Sequence, residues 1–199
     1  GRSYGDSSLD HNVISLKNYE KFFKFDDKLG TLECSSNYSL SEILGLIIKK
    51  GWFLNVTPGS KFVTIGGAIA SDVHGKNHHL DGSFCDYVFS FKIVTSEGIL
   101  YNCSKEENLE LFYASCGGMG LTGIIVSSKI KLLKIKSKLI DTETIKTKNL
   151  DDTIKSFRKF SENKYLVAWV DAVAKNEDMG RSVIFIGNHS NEGDLSFLE

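Results

Sequence analysis

The sequence predicts an α+β fold. Two strand–turn–strand patterns, two helical stretches opened by Ser-x-x-Glu capping boxes, and no strict strand–helix–strand alternation carry that expectation. In chain order, Asn12 to Leu16 reads as a short strand after a glycine-rich opening. Lys21 to Phe25 and Thr31 to Ser35 read as a hairpin turning on Asp26-Asp27-Lys28-Leu29-Gly30. Ser39-x-x-Glu42 then opens a helix whose apolar stripe is Leu40, Ile43, Leu44, Ile47 and Ile48, and Gly51 stops it. Residues 57–83 lose that periodicity to glycines, small residues and histidines. Val63, Ile65, Ile69 and Val73 within them predict an ordered rather than a loose segment.

A second hairpin follows, Phe89 to Thr95 with Ile99 to Cys103 around Ser96-Glu97-Gly98. Ser104-x-x-Glu107 predicts a helix carrying Leu109, Phe112, Tyr113 and Cys116 on one face. Gly117-Gly118-Met119-Gly120 ends it, and Gly123 to Leu133 is a strand. Past Ser137 the texture shifts: Thr142 to Lys148 alternates as a strand, Asp151 to Ser161 is helical, and Tyr165 to Val170 and Ser182 to Ile186 are strands. A domain boundary is expected near Lys136 to Lys138, giving domains 1–137 and 138–199.

Composition narrows the function classes. The 199 residues carry 24 Lys+Arg against 25 Asp+Glu, so the excess positive charge that displaces counterions from nucleic acid is missing, and no nucleic-acid partner is expected. No run of about 18 apolar residues occurs. The chain opens on Gly1 and closes on Glu199 without clear terminal signals, which reads as a fragment. Cys34, Cys85, Cys103 and Cys116 lack any Cys-x-x-Cys spacing and are expected to be reduced, partly buried thiols.

Four segments could carry chemistry. Gly1-Arg2-Ser3-Tyr4-Gly5-Asp6-Ser7 is either a surface turn or a nest of backbone N–H groups for phosphate. Pro58-Gly59-Ser60 followed by Thr64-Ile65-Gly66-Gly67-Ala68-Ile69-Ala70-Ser71 presents paired glycines at a possible helix start, suited to a pyrophosphate or merely to close packing. It matches neither the P-loop nor the Rossmann fingerprint. Asp72-Val73-His74-Gly75-Lys76-Asn77-His78-His79 is a poor metal site, because Gly75 breaks the helix that would align His74 with His78. No metal is expected there; a polar loop presenting His74 and Lys76 to an anion or a redox ring fits better. Gly117-Gly118-Met119-Gly120-Leu121-Thr122-Gly123-Ile124-Ile125 is a tight cap or a wall approached closely by a flat cofactor. His11 and His189 read as surface residues.

In this order, Gly1 to Asp6, Pro58-Gly59, Val63 to Ala70, His74 to His79 and Gly117-Gly118-x-Gly120-Leu121-Thr122-Gly123-Ile124 resemble the FAD-linked oxidases of the vanillyl-alcohol oxidase superfamily. Within it they are most similar to the branch that oxidises a polyprenylphosphoryl ribose. The likeness extends to Ala168-Trp169-Val170-Asp171-Ala172 and Gly180-Arg181. It implies a PCMH-type FAD-binding domain of two α/β subdomains over 1–137, then the start of an α+β substrate-binding domain.

It also implies roles. Gly1, Arg2, Ser3, Tyr4, Gly5, Asp6 and Ser7 would wrap the FAD pyrophosphate. Gly59, Thr64, Ile65, Gly66, Gly67, Ser71, Asp72, Val73 and His74 would line the path to the isoalloxazine ring, with Ile125 touching the cofactor from a strand. His74 and Lys76 would stand on the substrate side, and the main catalytic base would lie beyond residue 199. Relatives that bind flavin covalently use a histidine in the first loop; Tyr4 occupies that place here and implies non-covalent FAD.

The implied reaction is oxidation of a secondary alcohol of a sugar, the 2-hydroxyl of a polyprenylphosphoryl ribose, by hydride transfer to flavin N5 in cell-wall precursor epimerisation. A short-chain reductase partner and a cytoplasmic or membrane-peripheral location go with it. A polyol or aldonolactone oxidase using a soluble sugar and oxygen is the alternative, and a non-catalytic flavin-binding module a third reading.

Overall fold

A computed structural model of the chain describes Arg2, residues 10–193 and Leu195. The described residues form two compact units. The first comprises 1–75 and 83–134, the second 76–82 and 135–199. The expected first domain ran unbroken to 137; in the structure the short stretch 76–82 groups with the second unit.

In the first unit, β1 (Phe23–Asp26) and β2 (Thr31–Ser35) form the expected hairpin. The Asp26 carboxylate accepts the backbone N–H groups of Lys28 and Leu29 and closes the turn. Gly30 completes it at φ +63, and a side chain there would also strike the Trp52 indole. Helix α1 (Leu40–Ile47) opens on a complete capping box: Ser39 Oγ accepts the Glu42 N–H, and the Glu42 carboxylate accepts the Ser39 N–H. A 3-10 turn, Ile48–Lys50, stops at Gly51 with φ 78, and β3 (Trp52–Leu54) follows. Helix α2 (Ile65–Ala70), capped by Thr64, is the ordered core of the segment that lost periodicity.

Strands β4 (Val88–Val94) and β5 (Leu100–Ser104) are the second hairpin, and β6 (Ile124–Lys134) comes after helix α4 (Leu109–Ser115); the short α3 (His78–Asp81) belongs to the other unit. The sheet runs β1-β2-β6-β4-β5, antiparallel throughout, with β3 added on β6. Long β6 can pair with three strands because it alone reaches eleven residues. Helices α1, α2 and α4 supply Leu40, Ile43, Ile47, Ile65, Ile69 and Phe112 to a core shared with Leu32, Phe91, Ile93, Ile130 and Leu132 of the sheet. Phe91 and Phe112 stack at 5.2 Å between centroids.

In the second unit, α3 (His78–Asp81) is a single turn. A three-stranded sheet, β7 (Ile140–Thr147), β9 (Ser182–His189) and β8 (Tyr165–Val170), has β9 in the centre. Helix α5 (Leu150–Lys159) covers it. Phe157 of that helix packs with Leu166, Ile184 and Ile186 of the strands, together with Phe160 just past the helix end. Asn149 caps α5 by accepting the Asp152 N–H, and Asp151 and Asp152 at its start complement the helix dipole.

Three expectations fail locally. Residues 12–16 form no strand; Val13 and Ile14 are exposed, so nothing rewards pairing there. Ser104 does not cap a helix: its hydroxyl accepts the Glu106 and Glu107 N–H groups in a turn, and α4 starts at Leu109 after Asn108 in left-handed geometry. On α4 the buried face is Phe112 and Ser115, while Leu109 and Tyr113 are exposed. Among the described residues no helix is long and apolar enough to cross a membrane.

Candidate functional site

In the first unit, α2 and the loop before it are built against the β2–α1 turn. The N–H groups of Ile65 and Gly66 donate to the carbonyls of Tyr38 and Ser36, at 2.8 and 3.1 Å. The Gly67 N–H goes to Thr64 Oγ1 and the Ala68 N–H to Thr64 O. The first-turn donors of α2 are therefore all spent within the protein. A pyrophosphate drawn to free amides at this helix start, the attraction inferred from sequence, finds none.

Gly66 has a packing role instead, since a Cβ there would lie 2.9 Å from Ser36 Cβ. Gly67 and Thr64 face solvent, and a Cβ on Gly67 would meet only Thr64 Oγ1. Ile65 is wholly buried in the core.

The loop 57–63 is the more open cradle. With Leu40, Leu44 and Phe53 it lines a cavity of about 420 Å³ that includes Pro58, Gly59 and Ser60. Gly59 is exposed, with open space where a Cβ would stand. Arg2 lies over Phe62 at 5.6 Å from the ring centroid, so a cation from the first segment stands beside the second. Gly1, Ser3, Tyr4, Gly5, Asp6 and Ser7 lie outside the described residues.

A larger concavity, about 720 Å³, opens on the sheet between Glu33, Lys92, Asn102 and Lys129 and contains none of the expected site residues. Ser36 Oγ, beside Gly66, is buried without a hydrogen-bond partner among the described residues. An exposed glycine cradle and an adjacent guanidinium suit a large anionic dinucleotide such as FAD.

Beyond α2, Ser71 caps the helix end and Asp72 turns the chain at φ 39. Its carboxylate accepts from Ser83 Oγ at 2.8 Å and from the Cys85 N–H at 2.9 Å, which commits the side chain to holding the next turn. Only its backbone could face a cofactor. Val73 pairs with Ala68 and Phe84 through the main chain, and His74 bridges to Ser83 with its side chain exposed. Ile125 is 7% exposed and pairs with Ile93, with its side chain in the core.

Gly117 and Met119 donate their N–H groups to the carbonyls of Ile69 and Ala70, making the glycine-rich junction a cap on the far end of α2. Gly118 is required by backbone crowding at Ala114.

In the second unit, Lys76 has an exposed side chain, and its carbonyl accepts the Leu166 N–H at 2.9 Å. Asp81 accepts from Lys164 Nζ at 2.7 Å and from Asn77 Nδ2 at 2.6 Å. His79 Nε2 meets the Asn163 carbonyl and His78 Nδ1 that of Gly82. Among the described residues no group of three or more His, Cys, Asp and Glu side chains is arranged to hold a metal.

His189 is not a plain surface residue: it is half-buried, 2.9 Å from Tyr165 Oη, and burial and nearby Lys164 lower its pKa. Burial, with Asp81 adding to it, raises that of Tyr165. The polar group around Asp81 and Lys164 was invisible in the sequence, where 83 residues separate the partners.

The FAD binding domain family matches residues 1–104. Decaprenylphosphoryl-beta-D-ribose oxidase of Mycolicibacterium smegmatis is 33% identical over 193 residues, 94% of this chain and 42% of that protein. Human Delta(24)-sterol reductase is 25% identical over 126 residues, 63% of this chain and 24% of that protein. FAD-linked oxidoreductase janO of Penicillium janthinellum is 30% identical over 109 residues, 54% of this chain and 24% of that protein. The chain thus spans at most 42% of the length of these relatives.

Proposed function

The chain belongs to the FAD binding domain family, and from that premise we propose that it is the cofactor-holding part of an FAD-dependent oxidoreductase acting on a secondary alcohol of a sugar. The substrate we propose is a polyprenylphosphoryl ribose, oxidised at its 2-hydroxyl. One observation supports this class above others: the likeness to the ribose oxidase runs over 193 residues and through both compact units, whereas that to the sterol reductase covers 126.

When bound, FAD supplies the two-electron acceptor, with N5 receiving hydride from the carbinol carbon. The chain's own residues bind and orient. Arg2 and the loop 57–63 would meet the diphosphate, beside the exposed Thr64 and Gly67. His74, set by its bridge to Ser83, would flank the reacting face. Lys76 would place a cation against negative charge, either that developing on the reduced ring or that of a substrate phosphate.

Tyr4 in place of a histidine supports non-covalent attachment. A lipid-linked substrate brings peripheral contact with a membrane, and a 2-keto sugar calls for a reductase partner to complete an epimerisation.

The test is anaerobic mixing of the full-length flavoprotein with polyprenylphosphoryl ribose and, separately, with soluble polyols and aldonolactones. Bleaching of the flavin band by the lipid-linked sugar is expected. Bleaching by the soluble compounds alone would favour the polyol oxidase and overturn the substrate. Lys76→Met is expected to slow reduction or raise KM on the order of 10–100-fold; unchanged values for both would remove Lys76 from the machinery.

A further inference from the structure

We propose that Asp81 and Lys164 are positioning residues: their ion pair fixes the turn 76–82 on the second unit and so sets where Lys76 meets the phosphate of the substrate. This rests on the reading of Lys76 given above and narrows it, from ring or substrate to the substrate alone.

The chain leaves the first unit after Gly75 and returns at Ser83. The ends of the excursion are pinned together. His74 and Ser83 form an antiparallel bridge, and the Val73 carbonyl accepts the Phe84 N–H at 2.9 Å. Gly82 makes the return at φ 67 and ψ −143, a conformation open essentially to glycine alone. Between these ends, three contacts lace the turn to residues 163–166 of its own unit. The Lys76 carbonyl accepts the Leu166 N–H at 2.9 Å, His79 Nε2 meets the Asn163 carbonyl at 3.0 Å, and Asp81 accepts from Lys164 Nζ at 2.7 Å. Asn77, 1% exposed, adds its amide to Asp81.

The anchors are themselves held by the central strand. Asn188 accepts the Lys164 N–H at 2.8 Å and donates to Asn163 Oδ1 at 2.7 Å, and buried Leu166 pairs with Ile186 of β9. The backbone of Lys76 is thus tied to the core sheet of the second unit.

Among the three contacts only Asp81–Lys164 joins two charged groups, the strong kind of hydrogen bond. With its side chains 22% and 20% exposed, it is also the least exposed ion pair among the described residues. Lys76 has an exposed side chain and no ion-pair partner among those residues. Its ammonium rides on a flexible four-carbon stem, so its placement depends on where the backbone is held. That backbone is held apart from α2 and the loop 57–63, which belong to the first unit. Loosening it should therefore change the meeting with substrate and leave FAD affinity alone.

The test measures KM and kcat of the full-length flavoprotein on polyprenylphosphoryl ribose, with a dye as electron acceptor, for Lys76→Met, Lys164→Met and the double variant. Lys164→Met is expected to raise KM on the order of 10-fold, with kcat and FAD affinity within about twofold. Added to Lys76→Met it should change KM by less than about twofold, since both act through one ammonium. Lys164→Arg, which keeps the cation, should restore most of the loss. Without substrate, hydrogen–deuterium exchange across 76–82 should quicken in Lys164→Met while 83–88 stays unchanged. Normal KM in Lys164→Met beside an impaired Lys76→Met, KM effects that multiply in the double variant, a fall in FAD affinity, or unchanged exchange across 76–82 would each overturn the positioning role and leave the reading of Lys76 standing. An unchanged KM in Lys76→Met, or a flavin that the phosphorylated sugar does not reduce, would overturn both.

Discussion

The run from Ser71 to Asp81 is held in two different ways. Ser71 to Gly75 belong to the first unit and are tied by main-chain hydrogen bonds and by the Asp72 carboxylate, next to a large apolar core. Lys76 to Asp81 belong to the second unit and are tied by the Asp81–Lys164 ion pair, the Asn77 amide and one backbone bond from Leu166. The first support rests mainly on backbone hydrogen bonds, with one carboxylate accepting two more. The second depends on two side chains that remain about one-fifth exposed.

The largest effect that would sharpen this contrast is expected from Asp72→Ala. It leaves the Cys85 N–H and Ser83 hydroxyl without their acceptor and puts alanine at positive φ. A loss of about 3 kcal/mol in denaturant unfolding is expected, with weaker FAD binding in titration. Gly66→Ala comes next, at about 1–2 kcal/mol, because the new methyl must displace Ser36. Calorimetric FAD titration should show its affinity falling too.

Lys164→Met is expected to cost about 1–2 kcal/mol, discounted for the partial exposure of the pair, while leaving FAD affinity within about twofold. If Lys164→Met abolished FAD binding and Asp72→Ala spared it, the contrast would be reversed.

The smallest effect tests the surface of the first unit. Hydrogen bonds from Lys21 and from Ser39 hold the Glu42 carboxyl at about 2, below the usual 4.5. Because the folded value is depressed, its contribution is present above the ordinary carboxylate range and is lost as pH falls toward about 2. Glu42→Gln should therefore cost about 0.5 kcal/mol at neutral pH, and the gap to the unsubstituted protein should close through acid titration of the unfolding midpoint.

Most of the fold was readable where local chemistry decides it. Ser39 and Glu42 announce α1, Asp26 and Gly30 announce the first hairpin, and the helical pattern read from Asp151 falls within α5, which starts one residue earlier behind the Asn149 cap. Failures came where tertiary context decides. Ser104 and Glu107 have the spacing of a cap, yet the hydroxyl is used in a turn. β3 is three residues, too short to announce itself, held extended by pairing with β6 and by Trp52 and Leu54 packing into the core.

For the site, sequence located the exposed loop at Gly59 and the polar run at His74 and Lys76. It could not reveal that the α2 amides are consumed by Tyr38 and Ser36, that Ile125 turns inward, or that Lys164 reaches Asp81. Those facts depend on residues far apart along the chain.

The first unit is expected to bind FAD without a covalent bond. The direct measurement is a visible spectrum of the purified full-length protein, repeated on the supernatant after acid precipitation. The expected result is a flavin spectrum in the supernatant. Colour retained in the pellet, or a colourless protein that takes up no added FAD, would contradict it.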